Sequence, residues 1–373
     1  MASRVLQERL FSETEAVSRK ARISRPSSLR RESNLLRHGE HFTRDGATIH
    51  FDHAEHLYAA WPAPVCIIVD GPYGVGGFPG DLPTADSLPD WYAPHIDAWS
   101  RYSTPQTTLW FWNTELGWAT VHPLFAKNEW EYRCCHIWDK GPGHIAGNAN
   151  SMTLRKFPVV TEVCVQYVKT ARFVVGEERL SMQDWLRHEW LRSGLPLRLA
   201  NDACGTLNAA TRKYLTKDHL WYYPPVEAFT RLVRYANQHG KPKDRPYFSI
   251  DGKRPLTAKE WAKLRAKFNC DVGISNVWRE PPVRGVERLK EKYRCLHNNQ
   301  KPLRLVEIAI RASTEPGDVV WEPFGGLCSA AVVAHRLGRR CLSAEVVPEY
   351  YLAAIERLAT YGAYASPSRT KTA

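Results

Sequence analysis

Four short, apolar-rich stretches constrain this chain more than any other feature. "PVCIIVD" (64–70) and "TLWFWN" (108–113) are continuous apolar runs of strand length. Such runs suit strands covered on both faces, because a strand with one wet face alternates apolar and polar residues. "RCCHIWDK" (133–140) and "EVCVQYVK" (162–169) read as further strands, and Asp90–Arg101 and Leu116–Asn128 as helices between them. The texture returns near the end. An amphipathic helix over 301–313 is followed by a strand entering a glycine turn (317–326), a helix (330–338), a strand (340–346) and a helix (348–358). Strands alternating with helices predict an α/β fold with a mostly parallel sheet covered on both sides.

Residues 171–290 interrupt this alternation with helices expected at 181–193, 196–204, 207–215 and 225–239. The organisation expected is therefore a basic arm (1–45), a first α/β half (46–170), a helical insert (171–290), a second α/β half (291–360) and a tail (361–373). A short helix near Val5–Val17 is the only order expected in the arm. Formal net charge is +12, and nearly all of it falls in the insert, where Arg172 to Arg294 holds 25 Lys and Arg against 14 Asp and Glu. That surplus suits a phosphate backbone, although a solvated surface has the same composition. The nine cysteines include no CxxC pair, so neither a zinc cluster nor a disulfide framework is indicated and no metal is expected. No apolar run is long enough to span a bilayer and no secretory leader is visible, so a cytoplasmic protein with reduced thiols is expected.

Three constellations carry chemistry. "DGPYG" (Asp70–Gly74) follows the first apolar run, where open α/β sheets bind ligands. An amino group conjugated to a base ring is a poor nucleophile, and acceptors for its protons favour the reactive geometry. Asp70 and the Gly71 carbonyl are such acceptors, Tyr73 offers a ring for stacking, and Pro72 stiffens the turn. "EPFGG" (Glu322–Gly326), then Leu327, Cys328 and Ser329, is a strand, glycine turn and helix start, which brings backbone amides close to a cofactor. Glu345, at the end of the next strand, is placed to accept ribose hydroxyls. "HNNQKP" (His297–Pro302) opens a helix, and its polar side chains with Lys301 could seat a carboxylate. Each motif alone is also what an ordinary turn or helix start contains.

In this order the motifs resemble the permuted beta class of DNA amino-methyltransferases (N6-adenine and N4-cytosine). That class carries DPPY or SPPY, a target-recognition region, HPxQKP, DPFxGxGT and then an acidic residue. "IWDKGPG" (137–143), "FPVVTEVCVQYVK" (157–169) and "VWREPPVRGVER" (277–288) resemble further segments of it, and about 210 residues are covered. The resemblance implies a Rossmann-like, S-adenosylmethionine-dependent methyltransferase fold with circularly permuted motif order and a helical DNA-recognition insert. It implies Asp70, Gly71, Pro72 and Tyr73 as catalytic, and His297, Asn299, Lys301, Glu322, Phe324, Gly325, Gly326, Ser329 and Glu345 as cofactor-binding. It further implies base flipping from double-stranded DNA, with adenine favoured over cytosine by the aspartate. Gly71 replaces the family's first proline, leaving a freer loop. Glu322 replaces aspartate, and Cys328–Ser329 replace Gly-Thr. Those departures also suit a non-catalytic DNA-binding regulator. A homodimer and a cognate restriction endonuclease are further partners left open.

Within the insert, "LPLRLANDACGTLNAATRKYL" (195–215) has helix-turn-helix texture around Gly205. Its second helix would present Asn208, Thr211, Arg212 and Lys213 to DNA, and a helical hairpin that only packs is the alternative.

Overall fold

The computed structural model describes residues 36–76, 80–144, 155, 157–242, 244–285, 287–291, 294–297 and 299–362. The expected helix near Val5–Val17 and the tail beyond residue 362 lie outside the described residues. In chain order the elements begin with β1 (Glu40–Arg44), β2 (Ala47–Phe51), β3 (Cys66–Val69), α1 (Leu88–Tyr102) and β4 (Thr108–Asn113). They continue with α2 (Glu115–Lys127), β5 (Trp130–Asp139), β6 (Thr161–Lys169), β7 (Phe173–Val175) and β8 (Glu178–Leu180). Next come α3 (Met182–Arg192), α4 (Leu199–Cys204), α5 (Val226–His239), α6 (Ala258–Ala262) and β9 (Val277–Arg279). The ribbon β10 (Lys290–Glu291) and β11 (Arg294–Cys295) precedes α7 (Leu303–Ser313), β12 (Val319–Glu322), α8 (Ser329–Arg336), β13 (Arg340–Glu345) and α9 (Pro348–Gly362).

Among the described residues two compact units result, one within 36–103, 107–168 and 267–362, the other within 104–106 and 169–266. The first holds a nine-stranded sheet in the order β1-β2-β13-β12-β3-β4-β6-β5-β9. From β2 to β4 every pairing is parallel, β1 and β6 join antiparallel, and β9 runs parallel to β5. The second α/β half of the chain thus lies between β2 and β3 of the first half. Residues 40–44, expected in the arm, instead form the sheet's edge strand. Residues 267–290, expected in the insert, belong to the first unit because Val277–Arg279 pairs with Ile137–Asp139 and the Asn269 amide donates to Ala312.

Side-chain alternation on β3 explains the layers. Cys66 and Ile68 face a core shared with α7, α8 and α9, while Ile67 and Val69 face a second core shared with α1 and α2. Every residue of β3 and β4 is buried, as continuous apolar runs require. From β3 the chain moves through α1 to β4 on one side, and from β12 through α8 to β13 on the other. The direction therefore reverses between β3 and β12, where such sheets open a crevice at their carboxyl ends.

The second unit packs α3 to α6 around Trp185, Trp190, Phe229, Phe248 and Trp261, with Phe229 stacked on Trp261 at 4.0 Å. Glu189, fully buried in α3, is satisfied by Arg192 at 2.6 Å, Arg245 at 2.7 Å and the Phe248 amide at 2.7 Å. The expected helix-turn-helix appears in reduced form. α4 ends on Gly205 in the left-handed conformation (φ +66°), but a single π-helical turn, Ala210–Tyr214, replaces the second helix. Asn208, Arg212 and Lys213 are exposed. Thr211 is half-buried and packs inward, its amide and hydroxyl bonded to Asn201 at 3.2 Å.

Candidate active site

β3, β12 and β13 are neighbours, so Asp70, Glu322 and Glu345 stand at adjacent carboxyl ends. Their loops line one cavity of about 420 Å³, together with Trp91, His95, Trp112, His297, Lys301 and Phe324. Asp70, Gly71, Pro72, Tyr73, Asn299, Gly325, Gly326 and Ser329 line it too. The structure thus brings together every sequence-predicted catalytic and cofactor residue.

The Asp70–Gly74 loop is more firmly held than its glycine suggests. Asp81 accepts from four successive backbone amides, Tyr73 at 2.7 Å, Gly74 at 2.8 Å, and Val75 and Gly76 at 2.9 Å. The Pro72 carbonyl accepts from Tyr92 at 3.1 Å and from Asn113 at 3.0 Å. A Cβ at position 71 would lie 2.6 Å from the Tyr92 hydroxyl and 2.8 Å from Phe324. A proline there, which has a Cβ, would collide with both. The neighbours of Gly71 therefore supply the order that the missing proline would otherwise give.

At the deep end, Lys301 is only 3% exposed, and its ammonium lies 2.8 Å from Asp70 and 3.5 Å from Glu162. It sits over the ring of Tyr73 at 5.0 Å and that of Trp112 at 5.6 Å. The side chain expected beside a cofactor carboxylate is thus committed to Asp70. Tyr73, expected to stack on a base, is buried, with its hydroxyl 3.0 Å from Asp70 and 3.1 Å from Glu162. Glu162 also pairs with Lys140, which completes a network of two carboxylates and two ammoniums. Burial raises the Asp70 carboxyl above its ordinary range, opposed by Lys301. Burial alone would lower the Lys301 ammonium, but Asp70 and Glu162 outweigh it and hold it above the usual lysine range. Burial, reinforced by the same two carboxylates, pushes the Tyr73 phenol well up, so it remains a donor.

At the end of β13 the Glu345 carboxylate accepts from Gly326 at 2.5 Å, Val347 at 2.7 Å and Val346 at 2.9 Å. Burial raises it to about 7 even so. Glu322 reaches past the turn to the start of α8, accepting from Ala330 at 2.7 Å, Ala331 at 3.0 Å and Ser343 at 2.6 Å. It anchors the glycine turn, and burial raises it also to about 7. A Cβ on Gly325 would stand 2.7 Å from the Cys328 sulfur and 3.0 Å from the Ala344 carbonyl. Cys328 itself holds φ +49°, a left-handed conformation costing a non-glycine residue about 1 kcal/mol. That explains why the family places glycine there.

The α7 start expected to seat a carboxylate is capped from within, since the Leu303 amide donates to Glu287 at 2.8 Å. His297 Nδ1 accepts from the Asn299 amide at 3.2 Å, and burial lowers the ring to about 4. A neutral imidazole accepting at Nδ1 carries its proton on Nε2. Ser329 accepts from Arg357 at 3.0 Å. Phe324 meets Trp91 and His95 at 5.0 Å, forming an aromatic wall. Asp81, Tyr92, Asn113 and Glu162 were not singled out from the sequence. Only Glu162, an acid inside an apolar strand, carried a visible signal there.

Residues 65–356 match the family model described as DNA methylase, which covers N6 and N4 methyltransferases. Among relatives, the type II methyltransferase M2.DpnII of Streptococcus pneumoniae is 33% identical over 129 residues, 35% of this chain and 42% of that protein. The DNA adenine methyltransferase YhdJ of Escherichia coli (strain K12) is 35% identical over 104 residues, 28% of this chain and 34% of that one. The chain therefore aligns with less than half the length of each of these relatives. Among solved structures, the M1.HpyAVI–SAM complex aligns at TM-score 0.44 and 16% identity, over 83% of this chain and 98% of that one. The cytosine-N4-specific PvuII DNA methyltransferase aligns at 0.47 and 12%, over 88% and 95%. With its matched segment running from β3 into α9, and with Asp70, Glu322 and Glu345 at three adjacent strand ends, the chain belongs to the N6/N4 DNA methylase family.

Proposed function

We propose that the protein methylates the N6 amino group of adenine in double-stranded DNA, using S-adenosylmethionine and a flipped target base. The observation that carries this reading is one cavity lined both by Asp70 with its acceptor loop and by Glu345 with the glycine turn. The residues fit the cofactor. Glu345, with three backbone amides already on its carboxylate, keeps an acceptor site for a ribose hydroxyl, and half-buried Gly326 brings bare backbone to the cavity wall. The aromatic wall of Trp91, His95 and Phe324 suits an adenine ring. His297, Asn299, Glu322 and Ser329 hold the turn and its flank, and among them His297 Nε2 offers a donor. S-adenosylmethionine would supply an electrophilic methyl group on its sulfonium: the amino nitrogen takes the methyl, the sulfur leaves as a neutral thioether, and the proton lost from nitrogen passes to the adjacent acceptor, Asp70.

Asp70 and the Gly71 carbonyl accept from the amino group and orient its lone pair, while the buried loop keeps water away. Positioning of this kind provides most of the acceleration. Adenine is preferred because the relative YhdJ is named an adenine methyltransferase and because the acceptor is an aspartate. In the second unit Asn208, Arg212 and Lys213 are exposed for contact with DNA, and Thr211 holds the turn that carries them. Expression in a host without DNA methylation, followed by single-molecule sequencing, tests this reading. N6-methyladenine in one sequence context is expected, and its absence overturns it. Asp70→Ala should abolish methylation while calorimetry still registers S-adenosylmethionine, which a non-catalytic regulator would not bind.

A further inference from the structure

A base whose amino group is methylated presents two neighbouring groups on one edge, the amino donor and a ring nitrogen acceptor. These are N6 and N1 in adenine. A pocket reading that edge needs an acceptor and a donor side by side. Asp70 and Lys301 are such a pair, 2.8 Å apart on the wall of one cavity. Lys301 has three N–H donors, and among the described residues its short contact is the one to Asp70. The next contacts are Asn299 at 3.4 Å and Glu162 at 3.5 Å, too long for strong hydrogen bonds. The rings of Tyr73 and Trp112 hold the ammonium in place from their faces.

We propose that Lys301 determines base specificity by donating to the ring nitrogen beside the target amino group, while Asp70 accepts from the amino group itself. This rests on the methyltransferase reading above and deepens it. Guanine and thymine present a carbonyl in place of the amino group and an N–H in place of the ring acceptor. Asp70 would then face a carbonyl and Lys301 an N–H, so both are rejected by unpaired or repelling groups. The same contact occupies the in-plane lone pair of N1, the stronger nucleophile of the free base, and leaves the amino nitrogen as the free one.

The test uses the full chain on duplexes carrying its own recognition sequence, with either adenine or 1-deazaadenine at the target position. The analogue keeps the amino group and replaces N1 by C–H. Wild-type kcat/KM should fall about 10- to 100-fold on the analogue, the loss expected when a charged donor loses its partner. Lys301→Met should treat the two bases within about threefold, whereas Lys301→Arg, which keeps a charged donor, should retain a preference. Equal wild-type rates on the two duplexes overturn the proposal, as does an undiminished preference in Lys301→Met. The wild-type comparison stands alone if the methionine variant does not fold. A wild-type enzyme that leaves the adenine duplex unmethylated refutes the adenine reading itself, separately from the role of Lys301.

Discussion

The Tyr92 hydroxyl donates to the Pro72 carbonyl and stands 2.6 Å from where a Cβ on Gly71 would lie. The two residues are fitted to each other. Gly71→Ala should therefore cost about 1–3 kcal/mol, the range for overpacking a close-packed site. Tyr92→Phe removes one of the two colliding groups and should recover part of that loss. A double-mutant cycle from urea denaturation should give a coupling of at least about 0.5 kcal/mol, and strict additivity would contradict the fit.

Asp81 holds the Tyr73–Gly76 stretch through four backbone amides. Asp81→Ala should lower kcat/KM about tenfold or more with only a modest drop in Tm, since the exposed Val75 and Gly76 amides regain water and only those of buried Tyr73 and Gly74 lose a partner. A large drop in Tm with intact kcat would assign Asp81 to the fold instead.

Glu345 is raised by burial from 4.5 to about 7. A protonated carboxyl is a poor acceptor, so S-adenosylmethionine should bind about tenfold more weakly at pH 6 than at pH 8. Glu345→Gln should bind weakly and without this pH dependence. A raised carboxyl stabilises the fold most below its unfolded value and loses that contribution as pH rises to about 7. The stability deficit of Glu345→Gln should accordingly shrink from pH 4.5 to pH 7. Calorimetry and chemical denaturation across that window check both statements.

Cys328 is buried at φ +49°. Both Ala and Gly remove the thiol, but only Gly relieves the backbone. Cys328→Gly should therefore be about 1 kcal/mol more stable than Cys328→Ala by urea denaturation.

A strand's burial on two faces is written in its own residues, which is why β3 and β4 were legible as apolar runs. Motif order is equally local, and it disclosed the family and placed Asp70, Glu322 and Glu345 at strand ends. The sequence could not tell which charge meets which. Glu162 reaches Tyr73 and Lys301 only because β6 lies beside β4, antiparallel, and that arrangement is a property of the whole sheet. The second helix of the insert is shorter than its sequence pattern because tertiary packing turns Thr211 inward.

What the sequence determined by itself was the α/β class, the order of its motifs and the residues at the carboxyl ends. The class and the strand ends depend on periodicity, which a short window of chain carries, and the motif order on the linear chain alone. Only the tertiary structure decided that Lys301 pairs with Asp70, that Glu322 anchors α8 and that Gly71 yields space to Tyr92. Each of these is a contact across strands or loops. Close packing and the cost of burying an unpaired charge then allow each buried group very few partners.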